Sequence, residues 1–492
     1  MKKIFTIIIL FIISFITRAQ TGVYVPQLAG FDTAMMNLMN QYGVPGGQLA
    51  ITYQGRLVYN RGFGYADTVA HSLVEPNSVF RLASVSKPIT AVAIMKLFEN
   101  GLINLDAKVF GPSGILNDAA YQNILDPRVN DITVRELLQH GGGWNRDISG
   151  DPMFNSYTIS VAMGVNPPAG PVSVISYVLA NKMLDFTPGT EYQYSNFGFC
   201  VLGRVIEKIT GQNYEDYMLN TIIHPLGITD MHLGHNLMAD QLPNEVNYYD
   251  YPGALLTNSV YDNTTQVPWP YAGFNIEAMD AHGGWVASGE DMCRLLCAID
   301  KFPTRPDILL PATIDTMITP SAHNSTYACG IAVNTYNNWW HSGTLMGTCT
   351  EIVRAGNFAL NWSLLFNTRN AISDPLETAI DNIVWSVVGS ITSWPTHNLF
   401  TGIEEAPGNI LFDVYPNPAS DKLSIAISET ASTTEVKILD VIGKVLYSSN
   451  VERNSYKEVT IDTHNLADGI YFVQISSGNK NGIKKFIVNH NR

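Results

Sequence analysis

Arg81-Leu-Ala-Ser-Val-Ser-Lys-Pro-Ile-Thr90 decides the fold. It sets Ser84 and Lys87 three residues apart, where an extended segment gives way to a helix. The helix is read from Ala91-Val-Ala-Ile-Met-Lys-Leu-Phe-Glu-Asn100, whose apolar residues recur at helical spacing, with Gly101 as its stop. Residues three apart on a helix share a face, so the Lys87 amine can reach the Ser84 hydroxyl. A serine hydroxyl is a poor nucleophile until a base removes its proton. A lysine does this only when neutral, and its ordinary pKa is about 10.4. Neutrality near pH 7 needs a shift of roughly three units, or about 4–5 kcal/mol. Burial, a neighbouring cation and the positive end of a helix all push that way. The spacing alone is not specific, because Ser477-Gly-Asn-Lys480 repeats it in a polar, turn-like stretch. Specificity comes from what lies downstream.

Downstream, Pro188-Gly189 predicts a turn leading through a short strand to Tyr194-Ser-Asn196, and then a helix over Phe199–Ile209 closed by Gly211. Tyr194 offers a phenol that can relay a proton to a leaving group. Asn196 offers an amide to orient Lys87 and a substrate. Farther on, His341-Ser342-Gly343 on an edge-like strand can line a cleft. The backbone N–H of Thr344, with that of Ser84, would form an oxyanion hole.

The rest of the chain frames these pieces. Leu28–Tyr42 reads as an amphipathic helix, and Gln48–Tyr53 and Arg56–Tyr59 as two strands joined at Gln54-Gly55. Thr133 caps a short helix over 134–140 that ends in three glycines. Residues 244–280 are rich in Tyr, Asn and Pro and read as a long loop or lid. A helix is expected over 290–300, strands over Ala328–Val333 and Ala359–Phe366, and a last helix over 375–388. Near Ser393 the composition shifts. Short alternating strands follow, including Lys422–Ile427, Glu435–Leu439, Lys444–Tyr447 and Gly469–Ile475, the pattern of a small β-sandwich.

With 492 residues, 46% of them hydrophobic, the chain can bury a large core and should hold more than one domain. A net charge of −14 argues against nucleic acid as a partner. Lys2 and Lys3 precede an apolar run over 4–16, and Thr17-Arg-Ala19 provides a cleavage site. That predicts a signal peptide over 1–19 and no membrane span in the mature chain. Of five cysteines, Cys329 and Cys349 lie in strand-like segments and could pair across a sheet, whereas Cys200 reads as a buried thiol. His232-Leu-Gly-His235 is a weak metal pattern beside a surface-turn reading, and nothing implies a cofactor.

Ser84-Val-Ser-Lys87, Tyr194-Ser-Asn196 and His341-Ser-Gly343, in that order, resemble the serine β-lactamase-like superfamily in its class C and penicillin-binding branch. Thr133-Val-Arg-Glu-Leu-Leu-Gln-His140, Pro188-Gly-Thr-Glu-Tyr192 and Gly283-Gly-Trp-Val-Ala-Ser288 match it too. The resemblance covers about 28–388. It implies an α/β (α+β) fold, an antiparallel sheet flanked by helices beside a helical subdomain, and an acyl-enzyme on Ser84. Class C enzymes carry Lys-Thr-Gly where this chain has His341-Ser342-Gly343. A His-x-Gly motif is more similar to D-alanyl-D-alanine carboxypeptidases, D-aminopeptidases and some esterases of the superfamily. Residues 413–423, 439–445 and 466–473 resemble the C-terminal sorting domain of the type IX secretion system, which implies export and a secretion-machinery partner.

The expected division is therefore signal peptide 1–19, hydrolase domain 20–396, linker 397–409 and all-β sorting domain 410–492. The expected activity is that of a secreted serine hydrolase acting on a small-molecule or peptide amide or ester. The alternatives are a β-lactamase and a catalytically silent protein that binds peptides or glycans.

Overall fold

The computed structural model describes residues 20–370, 376–400, 412–427, 434–440, 444–451, 457–477 and 480–490. The expected signal peptide and most of the expected linker lie outside them. The chain divides into two compact units, 1–399 and 400–492.

In the first unit, helix α1 (Ala29–Tyr42) ends at Gly43, whose φ of +65° suits glycine. Strands β1 (Gly46–Tyr53) and β2 (Arg56–Asp67) follow, joined at Gln54-Gly55, where both residues have positive φ, as a tight hairpin turn requires. A short β3 (Ser72–Leu73) pairs with β2. Strands β4 (Ala332–Val333), β5 (Asn338–Leu345), β6 (Thr348–Ala355) and β7 (Leu360–Phe366) come more than 250 residues later in the chain order. They complete one antiparallel sheet in the order β3-β2-β1-β7-β6-β5-β4.

The period of two divides each strand between two environments. Leu49, Ile51, Leu360, Trp362, Leu364 and Phe366 join one apolar cluster with α1 and a C-terminal helix, Leu376–Val388. The intervening Gln48, Ala50, Thr52, Asn361 and Ser363 face the helix Gly289–Cys297, which contacts both central strands. Gln48 accepts a hydrogen bond from the Gly289 N–H, and Asn361 donates to the Asp300 carboxylate, whereas the Ser363 hydroxyl is buried without a hydrogen-bond partner among the described residues.

A helical region is inserted between β3 and β4. Its centre is α2 (Ser86–Glu99), in which every residue from Ser86 to Met95 is buried. A helix apolar on nearly all sides belongs inside a core. On it packs α5 (Asn196–Thr210), and on α5 packs α3 (Val134–Leu138), whose Thr133 and Glu136 form a capping box; the four-residue α4 (Arg146–Ser149) has no buried residue.

Several expectations need correction. Ser84 is not in the α-helix; it lies in the 3-10 turn Ala83–Val85 that feeds it. The segment 191–195 is not a strand. Its N–H groups turn to the 140–143 corner instead, with Gln193 N–H on the His140 carbonyl and Ser195 N–H on His140 Nδ1. Residues 328–331 are irregular and only Ala332–Val333 pair. The 244–280 segment is anchored rather than lid-like, because Tyr248 and Tyr271 are buried in the main core. All five cysteines are free and buried. Cys329 belongs to the main core and Cys349 to the cluster beneath α1, so no bridge joins them.

In the second unit, β8 (Phe412–Tyr415), β9 (Lys422–Ile427), β10 (Thr434–Leu439), β11 (Val445–Val451), β12 (Lys457–Asp462), β13 (Gly469–Ser477) and β14 (Lys480–Val488) form two antiparallel sheets. Their orders are β8-β9-β12 and β11-β10-β13-β14. Leu423, Ile425, Val436, Ile438, Val473 and Phe486 fill the core between them, as the alternation predicts.

Candidate active site

Lys87 is wholly buried on the first turn of α2. Its Nζ lies 3.0 Å from Ser84 Oγ, donates to Asn196 Oδ1 at 2.8 Å and donates to the His282 carbonyl at 2.9 Å. Burial, more than any other cause, pushes the lysine well below its ordinary value; Asp151 opposes this and Arg146 adds to it. A neutral amine suits this geometry. Its two N–H bonds go to the amide and carbonyl oxygens, and its lone pair is left for the serine proton.

Tyr194 donates to Ser84 Oγ at 2.8 Å. Burial raises its phenol, which keeps it protonated at neutral pH. Asn196 is the first residue of α5, whose N-cap is Ser195; the Ser195 hydroxyl accepts the Gly198 N–H. That cap turns the chain so that Tyr194 and Asn196 both reach the Ser84–Lys87 pair. The Asn196 amide donates to Asp151 Oδ2 at 2.7 Å, which fixes its oxygen toward Lys87.

The backbone that leads into Ser84 is held from the sheet. Thr350 Oγ1 donates to the Leu82 carbonyl at 2.7 Å and Thr348 Oγ1 to the Arg81 carbonyl at 2.9 Å. Between these anchors and Ser84 sits Ala83, buried at a φ of +49°. A left-handed non-glycine residue costs on the order of 1–3 kcal/mol and persists only where its surroundings dictate it. Gly343 of β5 packs directly on this turn. A Cβ added there would lie 2.4 Å from the Leu82 carbonyl oxygen and 2.9 Å from the Ser84 nitrogen. Gly343→Ala is therefore expected to displace the turn. It should lower unfolding free energy by about 1–3 kcal/mol in urea titrations and slow labelling of Ser84 up to about 100-fold.

The other residues of the third motif are placed as follows. His341 is buried, with its ring centroid 6.5 Å from that of Tyr194. Its Nε2 lies 3.0 Å from Tyr327 OH and its Nδ1 2.6 Å from the Ser342 carbonyl. Burial pushes its pKa down to about 3, so the ring is neutral. Ser342 and Thr344 alternate with His341 and Gly343 along β5; Ser342 is exposed and Thr344 half-buried. Beyond Trp340 the strand pairs with β6 but not with β4, which leaves an edge beside Ser84.

Sequence reasoning missed Asp151, Tyr327 and the His282 carbonyl. It assigned no role to the His140 side chain or to His282. Yet the His140 ring lies tilted against that of Tyr194, with centroids 4.4 Å apart, and His282 receives a Lys87 N–H through its backbone carbonyl. The one sequence signal for Asp151 is its Asp-Pro helix-start pattern, seen here as a cap on Met153 N–H. His232 and His235 each lie near a single carboxylate, Glu215 and Glu277 respectively, as surface pairs.

Residues 31–372 match the family model for Beta-lactamase, and 413–489 match that for the Secretion system C-terminal sorting domain. The chain is 25% identical over 252 residues to Protein flp of Staphylococcus aureus (strain NCTC 8325 / PS 47), covering 47% of this chain and 46% of that one. It thus spans about half the length of that relative. Two solved structures share its fold. EstCE1, a hydrolase with promiscuous acyltransferase activity, superposes with a TM-score of 0.57 at 20% identity, over 73% of this chain and 98% of its own. The D-amino acid amidase from Ochrobactrum anthropi SV3 does so with a TM-score of 0.56 at 19% identity, over 73% and 99%. With more than half of its length matched by one family model, this chain belongs to the beta-lactamase family of serine hydrolases.

Proposed function

We propose that this chain is an exported hydrolase in which Ser84 is acylated by an amide or ester and then freed by water. One observation carries the reading: a fully buried lysine amine 3.0 Å from a serine hydroxyl that also accepts a phenol proton. Neutral Lys87 takes the Ser84 proton as the Oγ–C bond forms. Backbone N–H groups of Ser84 and Thr344 receive the developing oxyanion. The leaving-group bond breaks, and the proton held by Lys87 passes through Tyr194 to the departing nitrogen or oxygen, which resets both groups. Water then adds to the acyl carbon, its proton returns through the same groups, and Ser84 is regenerated as the acid leaves. Asn196 holds Lys87 in place, and His341, Ser342 and Gly343 line the cleft.

The substrate class is an amide or ester of D-amino-acid peptidase or esterase type. Neutral His341, occupied at both nitrogens, is a weaker anion partner than a lysine would be, which makes β-lactamase the second reading. The amidase and esterase folds are consistent with the first. The match at 413–489 favours export through the type IX machinery, with 1–19 as the removed signal and 20–396 as the hydrolytic domain.

The test is intact mass spectrometry of the protein after brief exposure to a fluorophosphonate and, separately, to a penicillin. One phosphonate adduct, mapped to the peptide holding Ser84, is expected. No adduct, or an adduct on another residue, would overturn the reading. A lasting penicilloyl group would point to peptidase chemistry, and rapid penicillin turnover to β-lactamase.

A further inference from the structure

A second cavity opens in the helical region, apart from the cleft at Ser84. It has a volume of about 250 Å³ and is lined from the helices Ser156–Met163 and Pro171–Asn181 and from the loop that follows α4. None of Ser84, Lys87, Tyr194 and Asn196 lines it.

Its walls are apolar: Trp144, Ile159 and Val178 are buried and Tyr177 is half-buried. An apolar cavity of about 150 Å³ holds a benzene ring, so this one takes a ring with a short arm. Its mouth is polar. Asn155 and Thr158 are exposed there, and half-buried Lys182 supplies the one charge among the lining residues. Residues 152–181 carry no charged side chain, and the Lys182 amine forms no ion pair with a described residue. Asp185, three positions on, is engaged by the Asn145 N–H and the Ser149 hydroxyl. An apolar body with a carboxylate matches this lining, because it fills the walls and gives Lys182 a counter-ion.

The cavity wall is tied to the catalytic centre. Gly150 and Pro152 line it, and Asp151 stands between them. Asn155 donates to the Asp151 carbonyl at 3.2 Å. The Asp151 carboxylate accepts the Met153 N–H and the Asn196 amide, and Asn196 accepts from Lys87. On the other side, Trp144 packs edge-on against Phe197, the residue after Asn196, with centroids 4.7 Å apart. The loop is thinly packed at Gly150, where an added Cβ would meet no atom within 4 Å. A ligand in the cavity gives that loop a wall to rest on.

We propose that this cavity is an effector site for a small carboxylic acid with an apolar, ring-sized body. The body fills the space among Trp144, Ile159 and Val178, and the carboxylate meets Lys182. Occupancy braces the loop that carries Asp151 and so holds Asn196 on Lys87. Binding is independent of the hydrolase reading; the effect on Ser84 rests on it.

The probe is phenylacetate, followed by broadening of its ring-proton NMR lines on adding the full chain with Ser84→Ala, which binds without turnover. A Kd of about 1 mM or tighter is expected for a ligand of this size. Phenylacetamide, which lacks the charge, should bind about threefold or more weakly. Thr158→Trp, which blocks the mouth, should abolish binding, as should Ile159→Phe, which fills the cavity from within. Lys182→Gln should erase the difference between the two probes. No broadening, broadening that survives both plugging variants, or equal affinity for the two probes would overturn the inference.

The effect on the centre is read from phosphonate labelling of Ser84 in the otherwise wild-type chain. Saturating phenylacetate should speed it about twofold or more, and Thr158→Trp should label without that gain, which also checks that the variant is folded. Unchanged or slower labelling, or the same gain in Thr158→Trp, would overturn the link to Asn196. Failure of the phosphonate to label wild-type Ser84 would instead remove the hydrolase reading and leave the binding result standing.

Discussion

Replacing Lys87 with methionine is expected to slow hydrolysis by about 1,000-fold or more, within the range that a positioned base contributes. Methionine fills the same channel without a proton acceptor, so the Ser84 hydroxyl keeps its proton. The double replacement Ser84→Ala/Lys87→Met should be no slower than Ser84→Ala alone, because the two residues act as one unit. The sign of the pH dependence follows from burial. Lys87 is depressed well below its ordinary value, so it is the neutral, active form above that pKa and the charged, inactive form beneath it. Wild-type kcat/KM should therefore fall as pH drops through the depressed value, and residual Lys87→Met activity should lack that limb. A Lys87→Met enzyme within tenfold of wild type would remove the lysine from the mechanism. The measurement is a pH–rate profile with an activated ester.

The second large effect is structural. Arg81 precedes the Ala83–Val85 turn, and its side chain is completely buried with that of Glu245. Its guanidinium donates to the carbonyls of Pro270 and His235, at 2.5 and 2.8 Å, and stacks 4.3 Å from the Tyr248 ring centroid. The Tyr248 hydroxyl accepts the Arg81 N–H and donates to Glu245. Arg81→Met would leave the buried Glu245 carboxylate without its positive partner and two carbonyls without their donor. Breaking a buried pair on one side costs about 3–5 kcal/mol. Urea unfolding followed by tryptophan fluorescence should show that loss. Adding Glu245→Gln should recover part of it, because the uncompensated charge is gone. A single-mutant change under about 1 kcal/mol would mean that solvent reaches the pair.

These residues also show what a sequence can disclose. The Ser84–Lys87 pairing was legible because both lie within one turn, whether that turn is 3-10 or α. Tyr194 and Asn196 were legible because a helix follows them, although Ser195 starts that helix three residues earlier than its apolar pattern suggests. Strands such as β1, β7 and β10 were legible through their apolar pattern, whereas 191–195 and 328–331 read as strands and are not. Asp151 was not, because it sits in a polar loop without periodicity and acts through a contact 45 residues away. The same holds for the segment at 191–195. Its composition reads as extended, but its hydrogen-bonding partner is the glycine corner at 140–143, which no local pattern announces. Cys329 and Cys349 each sit where strands were expected, yet nothing local showed that they belong to different cores.

The centre is stitched across long stretches of chain, with Lys87 reaching Asn196 over 109 positions and the His282 carbonyl over 195. The consequence is one of timing. Closing such spans is slow and comes late in folding. Until they close, Lys87 is solvated and charged, and Ser84 is an ordinary alcohol. A half-folded chain thus carries every group of the site without the geometry that couples them.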